Sequence, residues 1–189
     1  FRAEHPDVLI DIGIGFRDFN LAQREADIAL RWKSPGEQNS LIGRKVASVK
    51  FGLFASPEYL ARAGVPETLS DLSKHDGVVA SIMDGKILWI MDEETEDPIH
   101  LPGRITFRSN SIWAFCEGLE QGYGIGMLPL NATNPATEHL VRVMDTFYHE
   151  IDLYLVAHQD LKRSARIRAV FDYLVEAFRQ DQNFFRDGG

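Results

Sequence analysis

The side chains that most often carry out chemistry are scattered along this chain. Its six histidines form no H-E-x-x-H pair and have no cysteine at zinc-site spacing. No serine lies in a G-x-S-x-G turn, and Cys116 falls on the apolar face of a predicted helix, which favours burial over nucleophilic attack. The acidic run at 92–98 lacks the spacing of a Ca²⁺ loop and is expected to be a solvated loop. We therefore expect no enzyme activity, no metal site and no cofactor.

Two glycine clusters are the remaining candidates for a nucleotide-binding loop. Gly13 and Gly15 end a predicted strand, and the sequence GYGIG at 122–126 leads out of a helix into a strand. A dinucleotide-binding fingerprint instead has G-x-G-x-x-G spacing and opens a helix. Neither cluster meets these conditions, so dinucleotide binding is not expected.

The elements that would position a site alternate between strand and helix along most of the chain. In the first 32 residues a strand, a short helix and a second strand favour a parallel pair, and 33–45 reads as a loop. This pattern predicts an α/β protein. Strands are predicted at 8–15, 28–32, 46–55, 76–82, 86–91, 104–109, 123–129 and 151–158, and helices at 56–64, 111–122 and 164–178. A helical turn at 68–75 is predicted to begin with a capping box between Thr68 and Asp71, and a turn at Asp84-Gly85 separates the strands at 76–82 and 86–91.

Capping residues mark the ends of the three helices. Ser56 is placed to cap the first helix and Gly64 to end it, while Ser164 is placed to cap the last. Asn110 or Ser111 is placed to cap the middle helix. The residues of that helix predicted to form one buried face are Ile112, Phe115, Cys116 and Leu119.

The composition excludes several classes of protein. With 20 Lys and Arg against 28 Asp and Glu, the net charge of −8 argues against a free-standing nucleic-acid binder. A single cysteine permits no internal disulfide, which suits a reducing cytoplasm. No apolar run reaches the roughly 18 residues of a membrane span, and no export signal is visible. A cytoplasmic location with no membrane partner is expected.

Several ordered segments together resemble the effector-binding domain of LysR-type transcriptional regulators. They extend over nearly the whole chain in the family's order, and ASPEYL combined with Gly-x-Gly-Ile-Gly-Met-Leu-Pro is specific as a set. The segments are HPDV at 5–8, DIALRW at 27–32, LIGRKV at 41–46, the run from FASPEYL to HDGV at 54–78, RSNS at 108–111, EGLEQGYGIGMLP at 117–129, LVRVM at 140–144 and the closing stretch from Ile151.

The resemblance implies a type 2 periplasmic-binding-protein-like fold. Two Rossmann-like α/β lobes would be joined by two crossover strands, with the effector between them. Regulatory lobe I would comprise 1–52 plus 153–189, and regulatory lobe II would comprise 53–152. The charge is divided in the same way, since 53–152 holds 6 basic and 16 acidic residues while the two end segments are close to neutral. The family also begins with a winged helix-turn-helix, a linker helix and a first strand with its loop, so we expect these to be absent from a chain that starts at Phe1, with an incomplete pocket.

A ligand is expected where strands end and helices begin. In open α/β sheets, ligands gather at the carboxyl ends of parallel strands, near unpaired N–H groups of helix N-termini. Residues at three such places are Gly13 and Ile14, Arg31 and Trp32, and Ser109, Asn110 and Ser111, and the resemblance adds Met127, Leu128 and Pro129 on a facing loop. Each group has a structural alternative. Ser109 to Ser111 are also suited to helix capping, Arg31 to a surface ion pair with Asp27, and Trp32 to the core.

The resemblance implies a sensor whose partners are a small effector, expected to be anionic or aromatic, and further copies of the chain. The family typically forms a homodimer or homotetramer, with contacts through the helix containing Phe1 and the second-lobe helix near Trp113. DNA would be bound only through the N-terminal domain. A solute-binding receptor of a transporter has the same fold and is the alternative.

Overall fold

A computed structural model of the chain describes residues 1–15, 19–32, 34–36, 40–81, 87–92, 97–131, 137–160 and 164–181. It divides into two compact units. Unit 1 comprises Phe1–Ile14, Asp18–Val49 and Glu150–Gly189, and unit 2 comprises Gly15–Arg17 and Lys50–His149. The main boundaries thus lie after residues 49 and 149, compared with 52 and 152 for the predicted lobes. Within the described residues, no helix has the length and apolar character needed to cross a membrane.

Unit 1 is built around strands that run antiparallel. Strand β1 (Ile28–Arg31) pairs antiparallel with the last strand, β8 (His149–His158), and β8 neighbours β2 (Leu41–Ala55). The parallel pair predicted for the first 32 residues was therefore wrong for β1. Strand β2 also begins at Leu41, inside the predicted loop. As predicted, the Ser164 hydroxyl accepts from the Ile167 N–H, 3.4 Å away, and caps the final helix of the chain (Ala165–Gln180), whose Phe171 is buried.

The predicted first strand at 8–15 is irregular in the structure. Three of its four alternating apolar residues are exposed, with Ile10 at 40%, Ile12 at 74% and Ile14 at 93%. An alternating sequence gives a strand one apolar and one polar face, but a strand also needs a neighbouring strand to accept and donate its backbone hydrogen bonds. No described strand pairs with this segment. The Arg2 guanidinium instead donates to the carbonyls of Pro6 and Val8, at 3.1 and 2.8 Å.

An ion pair joins β2 and β8 in unit 1. The Asp152 carboxylate lies 2.6 Å from the Lys45 ammonium and accepts a 2.7 Å hydrogen bond from the Ser48 hydroxyl. Burial alone would raise the pKa of Asp152, but the bonds from Lys45 and Ser48 outweigh it and hold that pKa below its usual value of 3.8. Such a carboxylate stabilises the fold above its usual pKa, and its contribution is lost as the pH falls through the lower folded-state pKa.

We expect Asp152→Asn to lower the free energy of unfolding by about 1 kcal/mol or less at neutral pH, because the pair is partly exposed. The difference from the parent chain should shrink as the pH falls below 3.8, since protonation then removes the same charge from Asp152. Urea unfolding at a series of pH values measures this effect. Asp172→Asn, on the exposed face of the last helix, is the control. An Asp152→Asn penalty that stayed constant down to acid pH would contradict the proposed linkage.

The first helix of unit 2 forms where its caps predict. Helix α1 (Pro57–Ala63) follows Ser56, whose hydroxyl accepts from the Tyr59 N–H at 3.2 Å, and Gly64 ends it with a φ of 85°. A 3-10 helix, Leu69–Lys74, begins with the predicted capping box between Thr68 and Asp71. Local sequence therefore determines this part of the chain.

Unit 2 contains a small sheet with strand order β4-β3-β5. Strands β3 (Asp76–Ser81) and β5 (Arg104–Ser109) are parallel, and β4 (Ile87–Leu88) pairs antiparallel with β3. The predicted turn at Asp84-Gly85 lies outside the described residues, as do 93–96 of the acidic run. Helix α2 (Ile112–Glu120) follows β5 and leads into β6 (Gly126–Pro129). Strand β6 and the later β7 (Val141–Val143) both pair antiparallel with the second part of β2.

Helix α2 covers the core of unit 2. Phe115, Cys116 and Leu119 are buried as predicted, whereas Ile112 is 45% exposed and does not belong to the buried face. Ile112 is the first residue of the helix. The 3.6-residue spacing identifies the side of the helix on which a residue lies, but it does not show how far along the helix the core extends. The buried cluster comprises Val78, Ala80, Phe115, Cys116, Leu119 and Leu128.

Candidate functional site

A group of hydroxyl residues lies at the carboxyl edge of the parallel strands in unit 2. Ala80 of β3 is in register with Ser109, the last residue of β5, and Ser111 precedes the first turn of α2. Ser109 is half-buried, while Asn110 and Ser111 are exposed. The structure therefore gives Ser109, Asn110 and Ser111 the predicted position between the end of a parallel strand and a helix N-terminus. We call these three residues the serine loop.

The serine loop caps its own helix. The Ser111 hydroxyl accepts from the Ala114 N–H at 3.5 Å, and the Ser109 hydroxyl accepts from the Ser111 N–H at 3.0 Å. Capping, the structural alternative, is thus present. A hydroxyl that accepts one bond still has a hydrogen to donate, and the N–H groups of Ile112 and Trp113 lie in the first turn, where a helix offers no internal acceptor. All these donors, together with the helix dipole, favour an anion or a polar oxygen.

Two of the predicted residues of unit 1, Gly13 and Arg31, lie beside Phe19. The Arg31 guanidinium donates to the Phe19 carbonyl at 2.8 Å, and a Cβ added to Gly13 would lie 3.3 Å from the Phe19 ring. Arg31 ends β1 as predicted, but the neighbour of that strand is antiparallel, so the rule for parallel strands does not apply there. Ile14 lies in the irregular segment and not at the end of a strand, and Trp32 is 40% exposed. Ligand binding by these four residues stays a prediction.

Met127, Leu128 and Pro129 lie in a strand, as the pattern at 123–129 predicted, and not in the facing loop that the resemblance implied. They are in register with Leu53, Gly52 and Phe51 of β2, respectively. Met127 is 3% exposed and Leu128 is 2% exposed, and Leu128 belongs to the core cluster of unit 2. Their apolar character is explained by this packing, and Pro129 is the most exposed of the three. A role for them in ligand contact stays untested.

The glycines of the GYGIG segment are required for close packing. A Cβ on Gly124, whose φ is 157°, would lie 2.4 Å from the Asp76 carbonyl oxygen, and a Cβ on Gly126 would lie 2.8 Å from the Phe115 ring. At the same place the Ile125 N–H donates to the Asp76 carbonyl, and the Ile125 carbonyl accepts from the Val78 N–H, both at 2.9 Å. These glycines let the chain beyond α2 pass against the backbone of β3. This role accounts for the cluster without a nucleotide.

A buried polar network at the amino end of β3 was not predicted from the sequence. The Tyr59 hydroxyl is 3.2 Å from Nδ1 of His75 and accepts from the Asp76 N–H at 2.8 Å. Arg104 donates two hydrogen bonds to the Asp76 carboxylate, at 2.9 and 3.0 Å. Burial lowers the pKa of His75, against the opposite pull of Asp71 and Asp76, and so favours neutral imidazole. The network fixes the end of the β3–β5 pair remote from the serine loop.

The described residues suggest a binding protein. Among them no three His, Cys, Asp or Glu side chains lie together where they could hold a metal ion. Burial raises the pKa of the Cys116 thiol, with a further contribution from Glu120, so the nucleophilic thiolate is disfavoured. What the fold presents is an α/β domain with helix N-terminal donors and hydroxyls at a strand edge, which is the chemistry of a ligand-binding module.

Comparison with known proteins identifies the family. The model of the LysR substrate binding domain matches residues 1–179. An uncharacterised HTH-type transcriptional regulator of Haemophilus influenzae is 28% identical over 130 residues, covering 68% of this chain and 44% of the relative. The HTH-type transcriptional regulator DmlR of Escherichia coli is 26% identical over 183 residues, covering 93% and 58%. This chain spans about half the length of these relatives.

A solved structure shows the same fold. The regulatory domain of CrgA, a LysR-type transcriptional regulator from Neisseria meningitidis, superimposes with a TM-score of 0.72 at 24% identity, covering 94% of this chain and 87% of that domain. The chain therefore belongs to the LysR substrate-binding domain family. Its fold is the predicted type 2 periplasmic-binding-protein-like α/β fold, and its curated relatives are named as transcriptional regulators and not as enzymes or transport receptors.

Proposed function

We propose that this chain is the effector-sensing domain of a LysR-type regulator, and that the effector is a small anionic or aromatic metabolite. Binding would shift the population of conformations that a DNA-binding segment of the longer protein reads. The single observation that carries the proposal is the serine loop, where the parallel β3–β5 pair meets the N-terminus of α2. Family membership favours this sensor over the transport receptor.

Each unit, taken by itself, has groups suited to such an effector. The serine loop offers hydroxyl and N–H donors for a carboxylate or another oxygen anion. In unit 1, Arg31 offers a planar guanidinium and Trp32 an exposed aromatic face. A regulator of transcription acts where DNA is, so the cytoplasm is the location we propose.

We expect Ser111→Asp to leave the stability of α2 nearly unchanged but to weaken binding of an anionic effector at least about tenfold. Aspartate caps a helix as well as serine does, whereas its charge repels an anion and its carboxylate has no hydrogen to donate. A thermal-shift screen of small carboxylates and aromatic acids identifies a ligand, and isothermal titration then measures its affinity for both chains.

Ser164→Asp is the matched control, because Ser164 caps the last helix through the same hydroxyl bond. Its affinity should equal that of the parent chain. The proposal fails if only neutral sugars or cations bind, or if both aspartate variants weaken binding equally.

We further propose that the chain assembles as a homodimer or homotetramer through a surface that includes α2. Trp113 is 67% exposed and Ile112 is 45% exposed on adjacent positions of this helix, and large exposed apolar side chains of this kind are typical of interfaces. Trp113→Glu should reduce the sedimenting species to a single chain. Leu101→Glu, at a site 45% exposed elsewhere in unit 2, should leave the assembly intact. Equal behaviour of the two variants would argue against α2 as the interface.

A further inference from the structure

Lys50 and Arg142 are two of the four described cations of the acidic unit 2 that have no carboxylate partner. The range Lys50–His149 contains 7 Lys and Arg against 14 Asp and Glu. The Lys74 ammonium lies 2.7 Å from Asp71, and Arg104 lies 2.9 Å from Asp76. In contrast, neither Lys50 nor Arg142 has a carboxylate within salt-bridge distance among the described residues. Arg62 and Arg108 also lack one there, so what distinguishes Lys50 and Arg142 is the environment that they share.

The structure holds both cations against the same short stretch of chain. Arg142 of β7 donates to the Phe147 carbonyl at 2.8 Å, and the Lys50 ammonium lies 4.8 Å from the centre of the Tyr148 ring. Phe147 and Tyr148 are consecutive, so the two positive charges lie beside the same turn of the chain. We call Lys50, Gly52, Arg142, Phe147 and Tyr148 the cationic face.

Arg142 is fixed in position by close packing over β2. Its Nε would lie 3.1 Å from a Cβ on Gly52, so glycine leaves the space that the guanidinium occupies. Within the described part of the chain, this Nε is buried and has no hydrogen-bond partner. A guanidinium has five N–H donors. The Phe147 carbonyl satisfies one terminal nitrogen and leaves the other terminal donors of the guanidinium for a further acceptor.

The turn that presents Tyr148 is also held in a costly conformation. Met144 has a φ of 51°, and the Phe147 N–H closes the turn on the Met144 carbonyl at 2.8 Å. A residue other than glycine in the left-handed region is strained, and such strain persists where the surroundings fix it. The turn leaves the Tyr148 ring 48% exposed beside the Lys50 ammonium.

We propose that the cationic face binds the carboxylate of a small molecule, at a site in unit 2 separate from the serine loop. The planar fork of Arg142 and the ammonium of Lys50 match the two oxygens of a carboxylate, and the exposed part of the Tyr148 ring contacts the rest of the ligand. If Arg142 only held the turn and Lys50 only covered the ring, added carboxylate would have no effect on either. The site does not depend on the effector bound at the serine loop.

The test is a titration of the ¹⁵N-labelled chain with benzoate, followed by NMR at constant pH, with neutral benzamide as the matched probe. We expect benzoate to shift the amide signals of Gly52, Arg142 and Tyr148, with benzamide at least about tenfold weaker. Lys50→Met keeps the apolar stem and should weaken benzoate binding about tenfold. Arg142→Lys keeps the charge without the fork and should also weaken it. Lys74→Met removes an equal charge that Asp71 already pairs, and Ser111→Asp alters only the serine loop. In both variants the benzoate shifts of Gly52, Arg142 and Tyr148 should therefore equal those of the parent chain.

The proposal is overturned if benzoate shifts no signal of the cationic face, if it shifts only Ser109 to Ser111, or if benzamide binds as well as benzoate. It is also overturned if Lys50→Met binds benzoate like the parent chain. Loss of the effector response in Ser111→Asp with benzoate binding retained would support two separate sites. Failure at the serine loop alone would therefore refute the proposed function and not this inference.

Discussion

Gly124→Ala is expected to destabilise unit 2 by about 3 kcal/mol or more, because two costs act at one residue. The new methyl group would lie 2.4 Å from the Asp76 carbonyl oxygen, 2.7 Å from its carbon and 3.0 Å from the Gly77 nitrogen. All three are backbone atoms of β3, which cannot rotate away as a side chain would. The φ of 157° adds a conformation that alanine rarely adopts. Urea unfolding followed through the fluorescence of Trp89, which is fully buried in unit 2, measures the change.

Gly64→Ala separates the cost of backbone strain from the cost of steric overlap. Gly64 also has a positive φ, 85°, but a Cβ there would meet nothing within 4 Å. We expect a loss of about 1–2 kcal/mol from backbone strain alone. If the two alanine variants were equally stable, the close approach of Gly124 to β3 would be irrelevant to the fold.

Phe115→Ala is expected to cost about 3–5 kcal/mol, as is typical for removing a buried aromatic ring. Phe115 is 2% exposed and packs within the core cluster beneath α2. The serine loop immediately precedes the first turn of this helix, so loss of the Phe115 ring should also loosen the proposed effector site. Urea unfolding gives the stability, and isothermal titration with the ligand found by screening gives the affinity.

Ile112→Ala on the same helix is the control. Its side chain is 45% exposed, so we expect a change within about 0.5 kcal/mol. A large loss of stability in Ile112→Ala, or a small one in Phe115→Ala, would mean that the buried face of α2 has been assigned wrongly.

Helix ends that are set by capping residues within a few positions could be predicted from the sequence. Ser56 and Gly64 set the ends of α1, and Ser111 and Ser164 cap the helices that follow them. Each of these signals acts within a few residues of the helix it ends. The strand-to-helix position of the serine loop was predictable for the same reason, because Ser109 ends one element and Ser111 begins the next.

Features that depend on distant partners could not be predicted in this way. The alternation of Val8, Ile10, Ile12 and Ile14 predicted a strand, but a strand also needs a neighbour, which this segment does not have in the described chain. The burial of Met127 and Leu128 could not be predicted, because it comes from pairing with β2 residues more than seventy positions away. The contact between Tyr59 and His75 likewise has no local signature.

Unit 1 consists of chain from both sides of unit 2, and this arrangement affects how the protein is made. A ribosome adds about 5–20 residues per second, so the 100 residues from 50 to 149 take about 5–20 s to synthesise. Unit 2 can fold as soon as this stretch is made, because nearly all of its residues lie between 50 and 149. Lys45 and Ser48 have left the ribosome by then, but Asp152, their partner more than one hundred residues later, has not. Unit 1 must therefore close last, and for those seconds β1 and the first part of β2 are nascent strands without their β8 neighbour.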